Sequence, residues 1–366
     1  MNIIAITGVT GFVGSQMLVE LAAFRPKSKF ILPIRAPNHA TALQRFEDLR
    51  THLQKFSLVS ANALTGIDGC VCTHDEFLAG NYDGSADLGW AIHCAADTDF
   101  SSSLSVAREH NLYCTIDIVN SLRKYSPKAS FLYVSTAFVC GRADRDVSEF
   151  RSFGRFHNSY EQTKYEGEAA VRESGLPYLI ARPSVVVGRY DDGYTKHFRV
   201  FYSMFRMWMT GVVPRAPMNA NDAVDIIPVD VLCRRISQLM FDPLAVGRVH
   251  HIVAGTNVTN ARQILQTASA VFSLPRPKFS ERWMLNVLSH RWVLRCLPHR
   301  LEGVISGLKW HFPYLGSYCR TFLRAETWNL HGESDSLTRF ENYGVRLFKF
   351  CLETRWGKRA IVKAET

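Results

Sequence analysis

NIIAITGVTGFVG, residues 2–14, is the stretch that decides the fold. Ile3, Ile4, Ala5 and Ile6 form a short apolar run, the pattern of a central strand buried on both faces. Gly8, Gly11 and Gly14 follow at a spacing of three. Gly8 lets the chain turn sharply off the strand. Gly11 lets a pyrophosphate approach the backbone without meeting a Cβ, and Gly14 lets the next helix pack closely on the strand. Residues 15–24, apolar at Met17, Leu18, Leu21 and Phe24, read as that helix. Its N-terminal end offers free N–H groups and a positive partial charge to a phosphate. Glycines cluster in any loop, but these lie between a strand and a helix, which gives the spacing its meaning. Thr10, Phe12 and Val13, between the glycines, join them as candidate cofactor contacts.

At 366 residues the chain can bury a sizeable core, and two lobes or one large domain with a subdomain are expected. With 47% apolar and 21% charged residues it reads as globular and soluble. The strand at residue 3 leaves no room for a signal peptide, and no uncharged apolar run is long enough to cross a bilayer. A cytoplasmic location is therefore expected. Nine scattered cysteines, an odd number, suit free thiols in a reducing compartment. Cys70 and Cys72 have no second Cys or His pair at ligand spacing, so core thiols are expected there and no metal site. The net charge of +10 is uneven, with 14 Lys/Arg against 8 Asp/Glu in residues 281–366. A basic face attracts nucleic acid, anionic membrane or an acidic ligand. No nucleic-acid motif is present, and a phosphate-bearing small molecule or carrier fits better.

Further strands are expected at 29–34, 69–73, 88–93, 131–134 and 178–181, the last stopped by Pro183. Helices are expected at 104–125 and 160–173. This alternation from residue 1 to about 187 predicts a parallel, doubly wound sheet, with ligands beyond the carboxyl ends of the strands. Gly8, Arg35, Ala95 and Thr136 all fall there. In such folds the residue about twenty positions past the glycines meets the adenosine ribose, and an acid there accepts from the 2′-hydroxyl of NAD. This chain has Arg35, which suits the extra phosphate of NADPH rather than NAD; an exposed strand-end Arg is the competing reading. Arg45 is a second candidate phosphate contact. Asp75 can accept from the adenine amino group, or be a solvated loop acid. Ala95 and Ala96 are small enough for the backbone to lie against the cofactor.

Tyr160 and Lys164 are four apart on a helix and face the same way. A free tyrosine titrates near pH 10, about three units too high to cycle protons at neutrality, and a nearby ammonium lowers that value. The pair can then protonate a carbonyl oxygen as hydride reaches its carbon. Thr136, ending a neighbouring strand, can hydrogen-bond the same oxygen as charge develops on it. Asn111 can order a water or a backbone carbonyl beneath the site, or make only local helix contacts.

TGVTGFVG at 7–14, HCAAD at 93–97, VSTAFVCG at 134–141, YEQTK at 160–164 and ARPS at 181–184 resemble the extended short-chain dehydrogenase/reductases over about residues 1–255. The resemblance implies an α/β, Rossmann-like doubly wound parallel sheet with a smaller, mostly helical C-terminal substrate subdomain. It divides the chain into a cofactor core at 1–187, a substrate region at 188–275 interleaved with the last core strands, and a helical basic subdomain at 276–366. It implies Tyr160 as general acid/base, Lys164 on the nicotinamide ribose, Thr136 on the substrate oxygen and Asn111 in a proton relay. Pro183, Ser184 and Val185 would line the nicotinamide pocket.

Two branches of that family compete. VSTAF, Arg35 and DIIPVD at 225–230 resemble fatty acyl-CoA reductases and carrier-protein thioester reductases. They imply an acyl-CoA or acyl carrier protein substrate reduced to aldehyde or alcohol. Sugar-nucleotide or hydroxysteroid dehydrogenases and epimerases, and a cofactor-binding protein without turnover, are the alternatives. FRVFYSMFRMWMTG, residues 198–211, offers an apolar wall for an acyl chain or a plain core helix. Lys196, Arg199, Arg206 and Arg215 can meet CoA or phosphopantetheine phosphates. Residues 281–315 interleave Trp and Leu with Arg and His. They read as a peripheral membrane helix, a lid, or helices packed on the sheet's end. Oligomeric state is left open, and His250, His251, His290 and His299 show no ligand spacing.

Overall fold

In the computed structural model the described residues are 3–55, 69–83, 87–142, 147–149, 154–199, 201–209, 215–216, 218–279, 314, 322 and 335–357. The opening run is strand β1 (Ile3–Thr7), buried at every position. Burial on both faces explains why it is almost wholly apolar instead of alternating. Helix α1 (Phe12–Phe24) follows the glycine turn, with Gly11 as its N-cap. Then come β2 (Lys29–Ile34), α2 (His39–Lys55), β3 (Gly69–Thr73), the short α3 (His74–Leu78) and β4 (Leu88–His93). A Thr73/Glu76 capping box starts α3.

Helix α4 (Leu104–Ala107) runs through a π-helical turn, Arg108–Tyr113, into α5 (Cys114–Tyr125). The expected single helix at 104–125 is thus interrupted, and Asn111 sits in the π turn. A π turn inserts one residue without changing the apolar content, so periodicity does not reveal it. Strand β5 (Ser130–Val134), α6 (Ser159–Arg172) and β6 (Tyr178–Pro183) complete the first half. Contrary to expectation, Pro183 does not stop β6 but ends it in register opposite Ile252.

The large sheet has seven strands in the order β10–β6–β5–β4–β1–β2–β3, every neighbouring pair parallel. Its outer strand β10 (Arg248–Ile252) arrives from far along the chain and pairs with β6. Between them lie β7 (Val185–Val187), α7 (Phe201–Met209), β8 (Ala223–Val224), β9 (Ile226–Pro228) and α8 (Val229–Met240), with β11 (Thr259–Asn260) and α9 (Ala261–Phe272) after β10. The order reverses between β1 and β4, so the crevice lies at their carboxyl ends. One core cluster joins α1, α8 and one face of the sheet, and another joins the opposite face to α5. A third core unites α7, α9 and α10 (Gly344–Glu353) through Phe201, Phe205, Leu265, Leu347 and Phe348.

The glycine turn works by contact. Gly8 has φ of +71°, and a Cβ there would stand 2.5 Å from the Ala95 nitrogen. A Cβ on Gly14 would stand 2.2 Å from the Gly8 carbonyl oxygen. The seven described cysteines are free thiols. Among the described residues no helix is long and apolar enough to cross a membrane, and no group of three His, Cys, Asp or Glu is placed to hold a metal. The stretch 281–315, apart from Tyr314, lies outside the described residues, as do His290, His299 and most of the region 276–366.

Gly14→Ala is expected to destabilise the protein by about 3 kcal/mol, the upper end of overpacking costs, because the obstacle is backbone. Urea unfolding should show a lower midpoint at unchanged slope.

Candidate active site

Two cavities meet over the glycine turn. One, of about 400 Å³, is lined by Gly11, Phe12, Val13, Gly14, Cys94, Ala96, Ser135, Thr136, Tyr160, Pro183, Ser184 and Val185 among others. The other, of about 540 Å³, is lined by Gly8, Thr10, Gly11, Arg35, Arg45, His74, Ala95 and Ala96 among others. Gly11, Cys94 and Ala96 belong to both, so the two form one groove along the carboxyl ends of β1, β2, β4 and β5. Of the candidate catalytic and cofactor-binding residues, Asp75, Asn111 and Lys164 line neither cavity. Asp75 lies in the first turn of α3, and its neighbour His74 faces the groove.

The groove fits a dinucleotide on two observations. Its floor at Gly8 and Ala95 is so close that a Cβ on Gly8 would collide with the neighbouring backbone. The Ser184 hydroxyl is buried against the cavity with no hydrogen-bond partner. Arg35 follows directly on β2 and Arg45 lies one helix later, donating to the Arg35 carbonyl. No acid occupies the end of β2.

Tyr160 stands in the first turn of α6, capped by the Asn158 side chain at 3.0 Å from the Glu161 amide. Its ring and the Thr136 hydroxyl line the same cavity. Burial pushes the phenol well above its ordinary value, Glu161 adds to the rise, and the neighbouring Thr136 hydroxyl opposes it. The sequence suggests that Lys164 lowers this phenol, but the lysine is not among the charges acting on it. One turn further along α6, its ammonium lies 3.9 Å over the Tyr133 ring. Lys164 is 1% exposed. Burial pulls its ammonium down to about 7, while Glu168, Cys94 and Cys114 pull the other way.

Asn111 connects, rather than lines, the site. Its carboxamide accepts from the Asp97 amide at 2.7 Å and donates to the Asp97 carbonyl and the Thr163 hydroxyl, both at 3.1 Å. It thereby ties the loop after β4 to α6.

Other residues were not legible beforehand. Glu168 is fully buried and takes two bonds from Arg182, at 2.8 and 2.7 Å, and one from Arg172 at 2.7 Å. Burial pushes its carboxyl up, but the bonds and charge of Arg182 outweigh this and leave it below the ordinary range. This pair locks α6 to β6. Glu161, also buried, is bonded by His157 and by the Tyr314 hydroxyl at 2.8 Å. Tyr314 stacks on Phe100 at 4.7 Å, and Phe100 touches Tyr160 at 5.4 Å.

The cavity wall opposite the glycines is apolar: Phe100, Phe138, Val186, Tyr202 and Tyr314. Within the stretch 198–211, Phe201 and Phe205 pack in the core against Phe348, while Arg199 and Tyr202 line the cavity. Arg206 faces Trp356 and Lys196 bonds the Thr10 carbonyl. The DIIPVD motif is architectural. Asp225 accepts from the Ala254 amide at 2.8 Å and Asp230 from the Tyr190 amide at 2.9 Å.

The profile of the male sterility protein family matches residues 6–236. The chain belongs to that family, a nicotinamide-dependent oxidoreductase branch of the extended short-chain dehydrogenase/reductases. It is 28% identical over 271 residues to aldehyde reductase lnbA of Aspergillus flavus, covering 68% of this chain and 26% of that protein. It is 22% identical over 304 residues to the probable fatty acyl-CoA reductase 5 of Arabidopsis thaliana, covering 63% of this chain and 61% of that protein. The chain thus spans about a quarter of the fungal relative and three fifths of the plant one. The terminal R domain from the myxalamid PKS-NRPS pathway superposes with a TM-score of 0.76 at 18% identity, over 99% of this chain and 93% of that one, and so shares the fold.

The folded chain binds fewer protons at Lys164 than the unfolded chain between about pH 7 and the ordinary 10.5. Its burial penalty is therefore full below about pH 7 and fades as pH rises. Thermal melts of Lys164→Met and wild type are expected to differ most at pH 6.5, in favour of the variant, and to converge toward pH 10. A gap independent of pH would contradict the buried ammonium.

Proposed function

We propose that this protein is an NADPH-dependent reductase of an acyl thioester, carried on CoA or on a carrier protein, giving an aldehyde and free thiol. The observation that carries the reading is a half-buried Tyr160 that shares a mainly apolar cavity with Thr136, continuous with the glycine-turn groove. The names of its relatives, an aldehyde reductase and a fatty acyl-CoA reductase, support it.

When bound, the nicotinamide supplies hydride to the carbonyl carbon. Gly8, Gly11, Gly14 and the α1 N-terminus would hold the pyrophosphate, and Ser184 with Val185 the nicotinamide. Arg35 and Arg45 would take the 2′-phosphate that distinguishes NADPH from NAD. Thr136 donates to the carbonyl oxygen while charge develops there. Tyr160 supplies the proton, which gives a hemithioacetal, and its C–S bond then breaks as the hydroxyl proton passes to sulfur, leaving the aldehyde and the free thiol. A reductase needs this acid loaded before hydride arrives, and a phenol raised by burial stays protonated throughout the neutral range. Lys164 would contact the ribose from below the groove. Phe100, Phe138, Val186, Tyr202 and Tyr314 would enclose the acyl chain and keep water from the reacting carbon.

The test is NADPH absorbance loss against acyl-CoA and acyl-carrier thioesters, with ketones and aldehydes alongside and thiol release measured in parallel. Thioester-dependent loss with stoichiometric thiol is the expected outcome. Loss with ketones alone would move the substrate to another scaffold. Tyr160→Phe is expected to lower kcat by about 10²–10⁴-fold, the usual size of a general-acid effect, with NADPH binding retained. A wild-type rate in that variant would end the mechanism.

A further inference from the structure

Residues 188–199 leave β7 and cross the glycine turn as a strap whose course is pinned at several points. The Arg189 amide bonds the Tyr194 carbonyl at 3.0 Å, and the Gly193 amide bonds the Arg189 carbonyl at 2.9 Å. Asp230 accepts the Tyr190 amide. Gly193 has φ of +73°, and a Cβ there would stand 2.2 Å from the Arg346 carbonyl oxygen of α10. The buried Tyr194 ring packs against Phe12 at 6.5 Å and Phe350 at 5.6 Å.

Held in this way, the strap divides its side chains. Thr195, His197 and Arg199 line the cavity that holds Tyr160. Lys196, at a bend between them, does not line that cavity. Its ammonium donates to the carbonyl of Thr10, on the lip of the neighbouring cavity lined by Thr10, Arg35 and Arg45. Burial and the positive charge of Arg45 both disfavour the ammonium there. Among the described residues no carboxylate pairs with Arg35, Arg45 or Lys196. Asp97 also lines this cavity, but its carboxylate accepts from the Asp99 amide and the Ser102 hydroxyl. Like charges gathered at one lip and unpaired with an acid repel one another, so the arrangement is unfavourable until an anion enters between them.

We propose that Lys196 is a third ligand of the NADPH 2′-phosphate, delivered to Arg35 and Arg45 by the strap from the substrate side of the groove. The proposal rests on the NADPH reading above. A lysine contributes a point charge to a phosphate already met by two planar guanidiniums. The same segment sets Thr195, His197 and Arg199 on the cavity wall. Recognition of the 2′-phosphate and the shape of the substrate side are therefore mechanically linked.

Equilibrium binding of NADPH and NADH to the full chain tests this, with 2′,5′-ADP and 5′-ADP as fragments. Lys196→Gln removes the charge and keeps a donor for the Thr10 carbonyl. It is expected to weaken NADPH and 2′,5′-ADP by about tenfold or more, the worth of one charged hydrogen bond, and to leave NADH and 5′-ADP unchanged. Lys196→Arg should keep most of the discrimination. Equal losses for NADPH and NADH would overturn the assignment, because the lysine would then only shape the turn. Wild-type discrimination that survives Lys196→Gln intact would overturn it while sparing the NADPH reading. Wild-type protein that binds both cofactors equally would overturn both.

Discussion

Two backbones must touch for this molecule to have a site. The turn after β1 and the tail of β4 meet at Gly8 and Ala95, closer than any side chain at residue 8 would allow. Gly14 brings the first turn of α1 onto the same carbonyl. These approaches place the helix N-terminus, the end of β4 and the end of β5 around one groove. The sheet reverses its strand order at this point, so the groove is where the fold leaves space between crossovers.

Helix α6 is the second constraint, and its character is electrostatic. Glu161, Lys164 and Glu168 are all buried on it. Burying charge is costly unless each group is answered, and here most are. Arg182 and Arg172 answer Glu168, while His157 and Tyr314 answer Glu161. Lys164 is answered least, which is why its ammonium is pulled down to about 7. The bonded groups fix the rotation of α6, and that rotation brings Tyr160 to Thr136. The helix spends stability on orientation, as helices carrying site residues do.

Legibility followed the range of the interactions. The glycine turn, the strand–helix alternation and the 160/164 pair are local patterns, and the sheet order agrees with the first two. The π turn at Arg108–Tyr113 carries no periodic signal and was read as plain helix. Asn111 was legible as a polar residue in a helix, but its partners Asp97 and Thr163 are set by packing. The aromatic stretch at 198–211 reads as a wall or a core helix. Phe201 and Phe205 are core against Phe348, and Tyr202 joins Phe100, Phe138 and Tyr314 in the wall, which no short window connects.

By itself the sequence determined the doubly wound architecture and the position of the groove, because glycine spacing and strand burial act over a few neighbouring residues. It also placed Arg35 directly after β2 and Tyr160 with Lys164 on one helix. Only the tertiary structure decided how those groups titrate. Tyr160 is raised and Lys164 lowered because segments packed around them bury both, and neither acts on the other. It also decided that Lys196 bonds the turn of Thr10, a partner 186 residues away. A charge's environment is assembled from every segment packed around it, and no spacing along one chain encodes that sum.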